Sequence, residues 1–505
     1  MKYIFNEDNT KSITERILQI NNIDKKDLDI SNFNVDYDLE IVNSFNEKLL
    51  SNKDKRFFIV GDYDCDGICS TAIIKKLFDD LGIKNNYYIP SRTKQGYGLS
   101  IEIVKTAYEN KFDCILCVDN GIVADDALIY ARSIGIVTFV LDHHEYQNKP
   151  KCDYFLHPNL FEDKYSNMCA AGLCCLVSNS IRRDEFSMAL GGLATLADMV
   201  SIFNYNRYLA CEMLKIVKQG KINSINLLLG RNEITYNNLS FNVIPKINAV
   251  SRLDDLMNVN YVVKFLLADA KEAIHYFDKI ENINNARKNY SSQMYNTATR
   301  LIDDSTNLIV IKDDSFKEGL CGLVANRIMD SYKKPTIVFA QIGDKLKGSG
   351  RSILGFNIYE YLNGCKELFD TFGGHELAVG LSMPVDKFDS FINYINNNPI
   401  VIEEPNVDVI VVDQNNINFD LLDELKSLEP FGSNFKEPLI ALRKPVYASK
   451  YVVANKYPKF DINDNLSAIS FNTNFINKDF EYMIGRIKQD SYDQDKLSFV
   501  IEDLV

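Results

Sequence analysis

Between residues 57 and 198, short apolar runs alternate with longer stretches in which apolar side chains recur at helical spacing. The runs at 57–60, 86–89, 114–118 and 136–141 read as strands, and 68–81, 100–110 and 124–134 read as the helices between them. Strands separated by helices predict a parallel sheet with helices on its faces. Residues 167–200 are small and apolar and read as closely packed helices. From 254 to 303 a helical pattern passes through Leu256, Val263, Phe265, Leu266, Ala270, Ala273, Tyr276, Phe277, Ile280, Ile283, Ala286 and Tyr290. It lacks the sustained heptads of a coiled coil, so it predicts a helix bridging two domains. A second strand–helix–strand unit follows at 307–311, 322–332 and 336–340. After 400, short runs at 409–412, 439–442, 446–453, 466–471, 482–487 and 497–501 predict a small β-barrel. The pattern divides the chain into an N-terminal extension with one helix at 12–21 (1–50), a first α/β domain (51–250), a linking helix (251–305), a second α/β domain (306–400) and a β-barrel (401–505).

Polar residues interrupt this pattern mainly at strand ends. Directly after the first strand stands Gly61-Asp62-Tyr63-Asp64-Cys65-Asp66-Gly67, whose alternation gives the carboxylates a common side-chain direction. A hard divalent cation can sit there, and Gly67 permits a sharp turn; taken alone, the run also reads as an acidic, solvated turn. The strand at 114–118 ends in Asp119-Asn120-Gly121, that at 136–141 in Asp142-His143-His144, and an apolar segment ends in Asp198. If the strands are parallel neighbours, these clusters converge at the carboxyl edge, where open α/β sheets bind ligands. Asp198 follows a helical stretch, an electrostatically unfavourable place for an acid, and such a local conflict is what a functional acid looks like. The paired histidines offer one imidazole for a metal and one facing away. Arg92 and Lys94 lie among glycines in 90–98, in a loop able to approach phosphate or else an ordinary charged surface loop. Lys347-Gly348-Ser349-Gly350-Arg351-Ser352 spaces a hydroxyl and a guanidinium in a way suited to forked recognition of phosphate.

Composition adjusts this picture in three ways. With 505 residues, 46% hydrophobic and 25% charged, the chain is ordinary globular material for roughly two to four domains. No apolar stretch approaches the roughly 20 residues that span a bilayer, and the polar, acidic start lacks a signal-peptide core, so a cytoplasmic protein without a membrane partner is expected. The 11 cysteines sit mostly in apolar runs and read as reduced buried thiols. Cys114 and Cys117 form a CxxC within a predicted strand, whereas a zinc knuckle needs a tight turn. A net charge of −13 argues mildly against nucleic acid. Bound cations would offset several of the acids, however, and binding needs only a basic groove.

The motifs Asp62-Tyr-Asp-Cys-Asp-Gly67, Val118-Asp-Asn-Gly121, Asp142-His-His144 and Ala197-Asp198 resemble the four motifs of the DHH phosphoesterase superfamily. Further matches at 95–100, 246–254, 322–325, 348–352, 372–380 and 428–432 occur in the order seen in the RecJ family of single-strand-specific exonucleases. The resemblance runs from about residue 57 to the end. It implies a parallel-sheet DHH domain, a DHH-associated domain and a C-terminal OB-fold-like barrel. It implies two ions, Mn2+ or Mg2+, held by Asp64, Asp66, Asp119, His143 and Asp198, with Asp119 bridging. Asp62 is then a ligand or an acid supporting one, Asp142 supports the histidines, and His144 contacts the scissile phosphate. Some relatives carry a His in place of Val60, which leaves coordination of the first metal to be completed by water. By the same resemblance Arg92, Ser349 and Arg351 bind a 5′-terminal phosphate, Arg252 contacts DNA, and His375 lines the cleft. Phe431, Phe435, Tyr447, Tyr451 and Tyr457, beside Lys444, Lys450, Lys456 and Lys459, supply the aromatic platforms and basic groove that an OB barrel uses on single strands.

The implied activity is 5′-to-3′ hydrolysis of single-stranded DNA to mononucleotides in repair and recombination. A single-strand-binding protein and a helicase are family-level partner expectations. One rival is a DHH phosphodiesterase of short oligonucleotides or cyclic dinucleotides, which would not need the barrel. The other is a non-catalytic replication scaffold, against which the intact ligand motifs argue.

Overall fold

The computed structural model describes residues 2–31, 33–303, 305–454, 456–490 and 493–505. The chain forms two compact units, one built from residues 34–200 and 208–404 and the other from 2–33, 201–207 and 405–505.

In the larger unit the strands Phe57–Val60, Asn85–Tyr88, Cys114–Val118, Val137–Leu141 and Tyr154–Leu156 form a wholly parallel sheet. In space the first strand lies between the second and the third. The connections therefore diverge between the first and third strands, which makes that gap a topological switch point. Phe57, Ile59, Leu116 and Phe139 are fully buried, as both faces are covered. The strand Tyr154–Leu156, unpredicted, is only three residues long and leaves too little pattern to read.

The helix after the first strand spans Cys65–Asp80, earlier than the expected 68–81. Gly67 therefore lies within its first turn and makes no sharp bend. Glycine is needed there because a Cβ would stand 2.5 Å from the Asp62 carbonyl oxygen. The helical pattern at 254–303 resolves into Asn260–Leu267 and the long helix Ala270–Ala298. They are separate because Ala268 is extended and the Asp269 carboxylate accepts from the Lys271 and Glu272 amides, starting a new helix.

A second sheet in the same unit has the order Thr371–His375, Ala378–Pro384, Lys345–Arg351, Thr336–Ile342, Ile309–Asp313, with only the last two strands parallel. The Gly-Ser-Gly-Arg stretch is thus a strand. A Cβ at Gly348 would stand 2.5 Å from the Phe339 ring, and one at Gly350 2.6 Å from Val379.

The smaller unit is organised on an eight-stranded mixed sheet. Lys2–Asn6, from the stretch set apart in the sequence as an extension, pairs in parallel with Asn406–Val411, and the edge strand at the far end is Ser449–Val453. Arg207, 2% exposed, donates to the carbonyls of Leu28, Leu428, Glu429 and Pro430 at 2.8–3.0 Å and so ties the three sequence segments together. Phe435 is fully buried and belongs to the interior, while Tyr447 and Tyr451 are exposed. Among the described residues no helix is long and apolar enough to cross a membrane.

Candidate active site

At the carboxyl edge of the parallel sheet the loops after the first, third and fourth strands meet. Asn120 fastens two of them by donating from Nδ2 to the carbonyls of Val60 and Val118, each at 2.9 Å. Gly121 has a φ of +103°, and a Cβ there would stand 2.8 Å from that of Cys117, so this turn takes only glycine. Asp119 itself has a φ of +59°, a strained left-handed conformation that its surroundings must hold in place.

Asp142, fully buried, organises the histidine loop. Its Oδ2 accepts from the Ile122 amide at 3.0 Å, and its Oδ1 accepts from the amides of His143 at 2.8 Å and His144 at 3.2 Å. The His144 Nδ1 lies 2.8 Å from the same Oδ1. Burial works against the charge of Asp142, yet the His144 hydrogen bond and charge hold its carboxyl below the usual range. Burial likewise opposes the charge on His144, and the Asp142 hydrogen bond overrides it, raising the imidazole to about 9. His143 is instead pushed down to about 4 by burial and by the neighbouring His144, so it is neutral at pH 7. Its Nε2 faces Asp119 Oδ1 at 3.4 Å and Oδ2 of both Asp66 and Asp198 at 3.7 Å.

The remaining carboxylates are positioned by helix ends. Asp64 caps the helix Cys65–Asp80, its Oδ1 accepting from the Asp66 amide at 3.0 Å and the Gly67 amide at 3.1 Å. Asp66 accepts the Ala170 amide at 2.8 Å and the Ala171 amide at 2.7 Å, the first two of the helix Ala170–Ile181. Those bonds favour its charge, but burial and the nearby Asp64 outweigh them and raise Asp66 to about 7. Asp198 ends the helix Glu185–Ala197 and is raised to about 8 by burial, Asp66 and Asp64. Burial and neighbouring carboxylates hold Asp62 and Asp119 well above the ordinary range.

Donor atoms fall into three overlapping groups, each within 4.8 Å: Asp62, Asp64 and Asp119; Asp66, His143 and Asp198; Asp119, His143 and His144. Oδ1 of Asp62 and Oδ1 of Asp119 are buried without a hydrogen-bond partner. Buried carboxylates that repel one another and lack donors are relieved by a cation, and oxygens with one imidazole nitrogen suit Mn2+, which tolerates nitrogen better than Mg2+. The first two groups share no residue, so the donor set is consistent with two ions.

Beside it lies a cationic pocket. Arg252, at the end of the helix Ile244–Arg252, is lowered to about 9 by burial and then by the guanidinium groups of Arg92, Arg351 and Arg287. Arg92 sits 5.0 Å from the ring centroid of Tyr63. Arg351 donates from Nη1 to Ser349 Oγ at 2.9 Å, and burial and Arg92 lower it too. The helix Cys321–Tyr332 begins against this pair, since a Cβ at Gly322 would stand 3.0 Å from Arg351 Nη2 and from Ser349 Oγ. Guanidinium groups gathered at a helix N-terminus form an anion site. His375 stands apart, on the exposed edge strand Thr371–His375, across Ala378 from Arg351.

Sequence reasoning missed three contributors. Tyr97 donates to the Asp119 carbonyl at 2.9 Å and lies 3.1 Å from His144 Nδ1. Its signal was a lone tyrosine between Gly96 and Gly98, both at positive φ. Arg287 lies in a solvated-looking helical pattern, and the Ala170 and Ala171 amides leave no side-chain trace.

Residues 56–198 match the DHH family, N-terminal domain, residues 305–398 the DHHA1 domain, and residues 409–503 the RecJ OB domain. The chain is 27% identical over 449 residues to the single-stranded-DNA-specific exonuclease RecJ of Bacillus subtilis, covering 83% of this chain and 57% of that one. It is 30% identical over 430 residues to the exonuclease of the same name from Escherichia coli, covering 76% and 74% respectively. The crystal structure of RecJ in complex with Mn2+ from Thermus thermophilus superposes with a TM-score of 0.85 at 21% identity, covering 100% of this chain and 79% of that one. The carboxylate–histidine cluster at a parallel-sheet edge, the paired arginine pocket and these matches together place the chain in the RecJ family of DHH phosphoesterases.

Proposed function

We propose that this chain is a metal-dependent exonuclease that hydrolyses single-stranded DNA from a phosphorylated 5′ end, in DNA repair and recombination. The observation that carries the reading is the set of overlapping donor groups that share Asp119 and His143, next to an arginine pocket. Asp64, Asp66, Asp119, His143 and Asp198 would hold two ions, Mn2+ or Mg2+, with Asp62 as a further ligand or support. Two such ions supply a water acidic enough to attack at neutral pH and neutralise charge developing on the phosphate. Arg92, Ser349 and Arg351 would hold the terminal phosphate, and Arg252, whose charge interacts with Arg92 and Arg351 and also with Asp64, would contact the next phosphate. Charged His144, kept upright by Asp142, donates to an oxygen of the scissile phosphate. Tyr447 and Tyr451 in the smaller unit offer stacking surface for bases. His375 is retained as a contact to the strand outside the arginine pocket. A cytoplasmic location, a single-strand-binding protein and a helicase follow from the family resemblance.

The test is digestion of a long, internally labelled, 5′-phosphorylated single strand with Mn2+, with a dinucleotide as competitor. Release of mononucleotides from the 5′ end is expected, abolished in Asp119→Ala and weakened in Arg351→Ala. Turnover of the dinucleotide with the strand intact would point to a small-substrate phosphodiesterase, and no metal-dependent turnover of either to a scaffold.

A further inference from the structure

Five histidines occur in the chain, and His157 belongs to none of the motifs above. It directly follows the short strand Tyr154–Leu156 and is 2% exposed. Both ring nitrogens are engaged. Nδ1 accepts from the Asn159 amide at 3.0 Å, which fixes the proton on Nε2, and Nε2 lies 3.0 Å from the His144 carbonyl oxygen. The Tyr146 ring packs edge-on against the imidazole, with ring centroids 4.9 Å apart. Burial pushes the His157 pKa below its ordinary value, in keeping with a neutral ring that donates only from Nε2.

The histidine loop is consequently pinned from two sides. Asp142 takes the amides of His143 and His144 from one strand end, and His157 takes the carbonyl of His144 from the next. Between the pins, His143 Nε2 must meet carboxylates from three separate segments of the chain at 3.4–3.7 Å. A displacement of about 1 Å at such a site costs up to about a hundredfold in rate.

We propose that His157 is a positioning residue that sets the backbone of the Asp142-His143-His144 loop through its Nε2–H bond to the His144 carbonyl, and thereby sets metal affinity and turnover. This rests on the metal-dependent nuclease reading.

Two variants of the full chain separate this role from a general structural one. In His157→Gln the amide nitrogen takes the place of Nε2 and keeps the donor, but the acceptor for Asn159 is lost. In His157→Phe the ring volume stays and both bonds go. Both variants should lower the melting temperature of the metal-free protein, having both lost the Asn159 bond. Mn2+ binding, followed by EPR titration, should weaken roughly 10–100-fold in His157→Phe and stay within about threefold of wild type in His157→Gln, as expected for a group that orients a ligand. With the phosphorylated strand, kcat should fall in the same order at unchanged KM. Mn2+ affinity in His157→Phe equal to wild type, or an equal fall in both variants, would overturn the proposal. Because Mn2+ affinity is read without substrate, a wild type that binds Mn2+ and leaves the strand uncut would sink the nuclease reading and leave the positioning role to be judged on affinity.

Discussion

Three buried carboxylates and the partly buried Asp198 face one another in the carboxylate–histidine cluster, with Asp66 raised to about 7, Asp198 to about 8, and Asp62 and Asp119 well above the ordinary range, each first by desolvation. Between the ordinary carboxylate range and these raised values the folded chain holds protons that the unfolded chain has released. Metal-free stability from these groups therefore falls as pH rises through about 7 to 8. Seating cations drives the same protons off, so affinity for Mn2+ should grow over that range. We expect Mn2+ to raise the melting temperature more at pH 8 than at pH 5.5, and its binding enthalpy to depend on the buffer that accepts the protons. An equal rise at both pH values with a buffer-independent enthalpy would show carboxylates already ionised. At this scale the sequence was most informative about charge. Alternating aspartates and paired histidines declare themselves, whereas the Ala170 and Ala171 amides are backbone groups that any residue could supply, and the Tyr97 hydroxyl comes from a single tyrosine with no acidic or basic neighbour to mark it.

Elements were legible where burial imposed periodicity. The apolar runs of the parallel sheet are buried on both faces, so their continuity was visible at 57–60 and 114–118. The strand Lys345–Arg351 was hidden by its glycines, which serve close packing on Phe339 and Val379. The helical stretch after 254 was legible in period but not in continuity, because a cap overrides periodicity. Asp269 accepts from two amides at 2.9 Å, and Asp269→Ala should cost about 1 kcal/mol in urea denaturation. A change below a few tenths would mean that the break at 268 and 269 is set by packing of the two helices.

For the whole molecule, a net charge of −13 points mildly away from nucleic acid, but total charge is not local charge. Several acids are gathered at one sheet edge, leaving Arg92, Arg252 and Arg351 to set the local field. Strand binding should weaken with salt, and Arg351→Met should reduce the log–log slope by about 0.7 to 1, the share of one phosphate contact. An unchanged slope would remove Arg351 from the contacts. The alternation of strand and helix was readable in the sequence, but the membership of residues 2–33 was not, because nothing in a five-residue strand names its partner. That pairing has a consequence for synthesis. Lys2 is matched with Asn406, 404 positions further along, and Arg207 ties Leu28 to 428–430. At roughly 5–20 residues per second the ribosome needs about 20–80 s to deliver the partner of the first strand. The opening segment therefore waits, an unpaired strand edge exposed to chaperones or to other nascent chains, while the larger unit can already be folding.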